Sequence, residues 1–205
     1  FGQNLKEYDV YSDGTKKLRE DYDFTRASYQ NAVMQLPSGQ LISESLLFDS
    51  GLSYVAMGEW TWGTVTVNAD GTATPTGDRS SVYFVYGDRT PASGIPSSGM
   101  ATYNARTLAQ LPFTLTADFS RSSISTQISK ASVFDVSGSA PFSNDGSFDI
   151  PLAGSAGSNS ATGILDGAFF GPNAEQVGGV FSVSQSGGAL LMQDAFVGQR
   201  GQISR

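Results

Sequence analysis

Apolar residues recur at every second position through most of this chain, in short runs that close at glycine, asparagine or aspartate. After Asp49-Ser50-Gly51, Tyr54, Ala56, Gly58, Trp60 and Trp62 share one parity, and Val55, Met57, Glu59 and Thr61 share the other. Val82, Phe84 and Tyr86 form a second set before Gly87-Asp88, and Phe113, Leu115, Ala117 and Phe119 a third. Ile124 and Ile128 share a parity, Val133 to Val136 is mainly apolar, and Phe148, Ile150 and Leu152 follow the turn at Asn144-Asp145-Gly146. Period-two alternation puts side chains on opposite faces of a strand. Closely spaced runs of this kind, punctuated by turn residues, predict an antiparallel all-β domain, and closing it into a barrel removes the exposed edges. The expectation is an up-and-down β-barrel of roughly eight antiparallel strands over 51–205, reading strands at this spacing. The Gly/Ser/Ala stretch 153–163 is read as a loop or weak strand inside that barrel.

Residues 1–50 carry 13 charged side chains and the 155 residues after them carry 18, so the composition shifts near Ser50. The first segment is read as short strands packed on the barrel, with a short helix over 15–21 as a weaker alternative behind Asp13-Gly14. No run reaches the roughly 18 consecutive apolar residues that a spanning helix needs. A chain that opens on Phe1 is expected to have lost an upstream signal or lipid-bearing segment. The net charge of −7 argues against nucleic acid, whose phosphates require clustered Lys and Arg.

There is no His and no Cys. Ser-His-Asp and Cys-His catalysis, iron–sulfur clusters and Cys-ligated zinc are therefore excluded by composition. Two carboxylate pairs, Asp21/Asp23 and Asp145/Asp149, are close enough in sequence to be weighed as an acid–base couple, but each lies beside a turn or a charged run and reads as solvated. Asn68 with Asp70, and Asn144 with Asp145, offer oxygen ligands without EF-hand spacing and fit hairpin turns. No phosphate-cradling glycine motif is present. The Tyr54/Trp60/Trp62 face is expected to be buried. The long Pro-containing connection 88–98, with Asp88, Arg89, Thr90, Pro91, Ile95 and Pro96, is the candidate for partner contacts.

One segment is distinctive: Gly167, Phe169, Phe170, Gly171, Pro172, Ala174, Gly178, Gly179 and Phe181 space out a strand, a tight turn and a second strand. This resembles the barrel hairpin of the transferrin-binding protein B-like family, with Glu175 one step earlier than in the usual pattern. Tyr54 to Trp62, Phe84 to Gly87 with Thr90-Pro91, Gly99 to Tyr103, Asp118-Phe119 and Ala195 to Gly198 are similar to further pieces of that barrel, in order. The resemblance implies the C-lobe barrel, with residues 1–50 as a reduced handle.

It further implies a non-enzymatic binder on the outer-membrane surface of a Gram-negative-type bacterium, or released from it. The partner would be a host carrier of iron or haem. The competing reading is an accessory subunit of an envelope or extracellular assembly. No cofactor or metal is expected from the residues, but relatives that bind haem make it the group to weigh. Without His, the ligand candidates are Tyr54, Met57, Tyr83, Tyr86, Met100 and Tyr103.

Overall fold

The computed structural model describes the backbone of residues 8–10, 16–18, 29–35, 41–48, 51–62, 65–67, 73–75 and 80–204, and the side chains of 51–59 and 80–204. Among these residues every regular element is a strand, apart from one 3₁₀ turn at Ala92–Gly94. Two compact units are formed, Phe1–Asp49 with Glu59–Val82, and Ser50–Gly58 with Tyr83–Arg205.

The first unit contains β1 (Tyr8–Val10), β2 (Lys16–Leu18), β3 (Tyr29–Gln35), β4 (Leu41–Phe48), β6 (Val65–Val67) and β7 (Ala73–Pro75). β1 pairs with β2 and β6 with β7, while β3 and β4 join β5 (Val55–Trp62) and β8 (Ser80–Gly87) in the order β3-β4-β5-β8. Lys16–Leu18 is thus a strand and not the helix weighed for that stretch. Asp21, Asp23, Asn68, Asp70 and the side chains of Trp60 and Trp62 lie outside the described residues. Of the two faces of the β5 segment, Val55 and Met57 carry the buried one, at 3% and 0% exposed, while Tyr54 and Ala56 are half-buried.

The barrel is closed by eight antiparallel strands: β9 (Met100–Thr107), β10 (Pro112–Asp118), β11 (Ser123–Lys130), β12 (Phe134–Pro141), β13 (Ser147–Ala156), β14 (Asn159–Phe170), β15 (Gln176–Gln185) and β16 (Leu190–Arg200). Each pairs with the next in sequence, and β16 returns to β9 from Phe196↔Thr107 to Arg200↔Tyr103. The barrel therefore begins at Met100, not at residue 51. Alternation had marked β5 and β8 correctly as strands, but periodicity carries no information about which sheet a strand joins. The stretch 153–163 is regular strand on both sides of a turn at Gly157, with Ala156 paired to Asn159.

The inward parity of each strand fills the interior. Tyr103, Leu115, Ile128, Ile150, Leu165 and Phe169 are all fully buried, as expected for an eight-stranded barrel whose lumen is just wide enough for its own side chains. Phe169 is the hub at one end: its ring centroid lies 5.2 Å from Phe142, 5.5 Å from Phe148, 5.7 Å from Tyr103 and 5.8 Å from Phe119. A second group joins Phe113 to Phe196 at 5.2 Å and to Phe181 at 6.2 Å. Edge-to-face and tilted contacts of this kind add to the burial of apolar area.

Closing so small a barrel bends its strands sharply. At Gly163 a Cβ would stand 2.2 Å from the Ser182 carbonyl oxygen, and at Gly179 2.1 Å from that of Asp166. Gly179 thus lets β14 and β15 touch backbone to backbone.

On the outer wall Asp149 of β13 is the ladder partner of Asp166 of β14. Partial burial first, and then the hydrogen bond and negative charge of Asp149, raise the Asp166 pKa above the ordinary carboxylate value. A carboxyl whose folded-state pKa is raised contributes stability in acid that is lost as the pH rises through that value.

Two measurements check this account. Gly179→Ala is expected to lower the unfolding free energy by about 2–4 kcal/mol in denaturant titrations, the range for a forced backbone clash, whereas Gly157→Asn, at an open left-handed turn (φ +61°), should cost under about 0.5 kcal/mol. Asp166→Asn should melt higher than the parent near neutral pH and lose that advantage in acid, read by melts from about pH 4 to about pH 8.

Candidate functional site

One end of the barrel collects the β10–β11, β12–β13 and β14–β15 connections, the residues leading into β9, and the C-terminal residues after β16. The connection 88–98 crosses this end as a strap. It is stitched to the 167–181 hairpin by backbone: Thr90 N–H donates to the Phe169 carbonyl at 3.0 Å and Gly171 N–H to the Asp88 carbonyl at 2.8 Å. The Thr90 hydroxyl, 3% exposed, donates to the Gly171 carbonyl at 2.7 Å. Pro91 and Gly94 close a 3₁₀ turn at 2.8 Å. Gly94 lies so close to Pro172 that any Cβ there would stand 1.9 Å from its carbonyl oxygen. Ile95 then packs against the barrel core.

The strap residues singled out in the sequence therefore divide. Asp88, Arg89 and Pro91 face solvent, Ile95 and Pro96 are half-buried, and Thr90 is an internal anchor. Arg89 reaches Asp145 at 3.9 Å, with both side chains more than half exposed, an ion pair of small energetic weight. Asp145 itself accepts the Ser147 amide at 3.1 Å and hydroxyl at 2.6 Å, and these bonds hold its carboxyl below the usual range. It is a turn cap, as its sequence position suggested. Asp149 faces Asp166 on the outer wall, away from that turn.

The turn between β14 and β15 is held from beneath. Gly171 (φ +86°) and Ala174 (φ +57°) both take left-handed backbone. Ala174 is fully buried, and its carbonyl accepts the Tyr103 hydroxyl at 2.7 Å and an Arg200 N–H at 3.2 Å, while Arg200 also donates to the Asn173 carbonyl. The side-chain amide of buried Gln176 accepts the Tyr54 backbone N–H at 2.9 Å and donates to the Gln199 side-chain oxygen Oε1 at 3.0 Å. Gln199 in turn donates to the Glu175 carbonyl at 3.1 Å. Such interlocked hydrogen bonds between buried groups fix one arrangement of the turn.

Beside the strap lies a shallow depression of about 510 Å³ lined by Ser98, Gly99, Met100, Asp118, Ser120, Arg121 and Ser204. Arg121 donates to Asp118 at 2.9 Å from its side chain and 3.1 Å from its backbone. Met100 stands there 46% exposed. An exposed thioether flanked by an ion pair is a surface suited to protein contact.

The six residues weighed as haem ligands have other surroundings. Met100 and Tyr103 lie on opposite faces of β9, so no one ligand meets both. The Tyr103 phenol is buried, and burial pushes its pKa well above the usual range. Met57 is fully buried, the Tyr54 ring covers Gly171, and Tyr86 packs near Phe84 at 6.2 Å while Tyr83 is half-buried. Among the described residues no group of three or more acidic side chains is placed to hold a metal ion.

Sequence reasoning found the hairpin and the strap separately and missed what joins them. Thr90, Gln176, Gln199 and Arg200 are polar residues without a local motif, and their partners lie from 23 to 122 positions away.

No protein-family model and no curated protein matches this sequence. Solved structures do: intact Ap-TbpB with its N and C lobes aligns at a TM-score of 0.56 and 17% identity, over 98% of this chain and 43% of its own. Transferrin binding protein B from Haemophilus parasuis Hp5 aligns at 0.55 and 17%, over 94% and 40%. The haemoglobin receptor HpuA from Kingella denitrificans aligns at 0.51 and 15%, over 94% and 75%. This chain spans 43% and 40% of the first two proteins' lengths. Strand order, closure and the 167–181 hairpin together make this chain a β-barrel protein of the transferrin-binding protein B fold.

Proposed function

We propose that this chain is a non-catalytic binding protein, anchored to or released from a bacterial outer surface, that holds a protein partner on the strap-bearing end of its barrel. The partner class is a host carrier of iron or haem. The observation that carries this reading is the filled lumen. Inward-facing residues from Tyr103 to Phe169 occupy the barrel themselves, so a ligand is met from outside, by loops. The strap end offers such a surface ready-made, because its backbone is bonded to the β14–β15 hairpin before any partner arrives. Preorganisation of this kind reduces the ordering cost of association. Proteins of the same fold include a transferrin binding protein and a haemoglobin receptor, which supports the choice of partner class.

Catalysis has little to work with here. Composition removes His and Cys, and at the strap end Thr90, Asp145 and Arg200 are engaged in holding turns.

The test is surface plasmon resonance of the immobilised chain against transferrin and against haemoglobin. Binding in the micromolar range or tighter is expected to one of them, and Arg89→Glu combined with Pro91→Ser should weaken it by at least about tenfold, about 1.4 kcal/mol, with little change in Tm. Ser158→Lys, at the opposite end of the barrel, should leave it unchanged. Absence of binding to both at about 100 µM, roughly −5 to −6 kcal/mol, would overturn the partner class. Equal loss from the Ser158 variant would overturn the placement on the strap end.

A further inference from the structure

The barrel wall is not uniformly bonded. β11 and β12 pair without a break from Ser123↔Pro141 to Lys130↔Phe134, and β13 and β14 from Ser147↔Ala168 to Ala156↔Asn159. Between β12 and β13 the pairing covers only Asp135–Ser137 against Ser155–Ala153, and it resumes at the single bridge Phe142↔Phe148. The unpaired stretch holds Pro141 on one strand and Pro151 on the other. Proline has no N–H, and within a sheet it removes the ladder bond on whichever side its nitrogen faces. The outer ladders of both strands run through these two residues intact. Both missing donors therefore fall into the same seam.

The inner lining is thin at the same place. On β12 the inward parity is Phe134, Val136, Gly138, Ala140 and then Phe142, and only Gly138 and Ala140 of these are half-exposed while the others are buried. Gly138 cannot be enlarged: a Cβ there would stand 2.1 Å from the Pro151 carbonyl oxygen and 2.9 Å from an Ile150 methyl carbon. Outside, Asp149, within the unpaired stretch of β13, is the ladder partner of Asp166 on β14.

We propose that the β12–β13 seam is a preset opening line of the barrel, along which the two strands part while the other seven ladders hold. The opened form exposes Val136, Ile150 and Leu152 and two strand edges to solvent. Closed barrels otherwise have no edge at all, which makes this seam the one place where a protease or an unfolding machine gains entry without melting the whole wall.

Native-state hydrogen exchange of the full chain tests this. The amides of Ser139 and Asp149, which face the seam, are expected to exchange at least about 100-fold faster than those of Leu165 and Phe181, by a sub-global opening that speeds with denaturant as the newly exposed surface requires. Gly138, Ala140 and Ile150, whose N–H groups face β11 and β14, stay protected. Pro151→Val, which restores a donor facing β12, should slow exchange at Ser139 and Asp149 by about tenfold or more while Leu165 and Phe181 change far less. Should Pro151→Val fail to fold, limited proteolysis of the parent decides: first cleavage within 138–152 is expected. Uniform protection across all eight strands, or first cleavage elsewhere in the barrel, would overturn the proposal.

Discussion

A sheet of eight strands can only close if its first and last strands meet. Here that meeting is the β9–β16 ladder, from Thr107 against Phe196 to Tyr103 against Arg200. Everything else in the second unit follows from it. Closure imposes curvature, curvature brings neighbouring backbones together, and at Gly163 and Gly179 the approach leaves no room for a side chain. Closure also fixes the lumen at a width suited to side chains, and Tyr103, Ile128, Ile150 and Phe169 are fully buried in it. A wider barrel could have carried a ligand inside, but this one holds a core there.

The same closure explains how the strap end is built. Phe169 gathers Phe119, Phe142, Phe148 and Tyr103 beneath the loops, so the turn at 171–175 rests on a rigid layer. Tyr103 then links that layer to the turn through the Ala174 carbonyl. A buried hydroxyl without such a partner would carry an uncompensated desolvation cost. Asp194 shows the same logic at the other end, where burial raises its pKa although it accepts the Ala109 amide at 3.1 Å and the Ala195 amide at 2.8 Å. Each end of the barrel is thus capped by a buried polar group bonded to the backbone of the adjoining turn.

Much of the fold was legible because alternation is a local signal. Phe113, Leu115 and Ala117 on β10, and Phe148, Ile150 and Leu152 on β13, are buried on the parity read from the sequence. The hairpin glycines were legible for a different reason, since a turn needs particular backbone geometry and few residues supply it. What stayed hidden was long-range. Nothing near residue 54 or 82 states that β5 and β8 join another sheet and leave closure to Met100 and beyond. Thr90, Gln176 and Arg200 looked like ordinary polar residues because their partners are brought to them only by the fold. The weak strand expected over 153–163 proved regular, since small residues are tolerated where neighbouring strands approach closely, as Gly154 and Gly163 do.

Proline marks the point where local and global demands conflict. Pro141 and Pro151 sit in strands whose closed neighbours should supply a continuous ladder, and each would be unremarkable at a sheet edge. In a closed wall no edge exists, so their cost cannot be hidden on the solvent side. Placing both on the same seam confines their loss to one interface, leaving the β11–β12 and β13–β14 ladders on either side unbroken. Had they faced different neighbours, two seams would be weakened and the strand between them would be held on neither side. The arrangement therefore preserves closure and concentrates opening in one line, which runs up to the β12–β13 connection at the strap end.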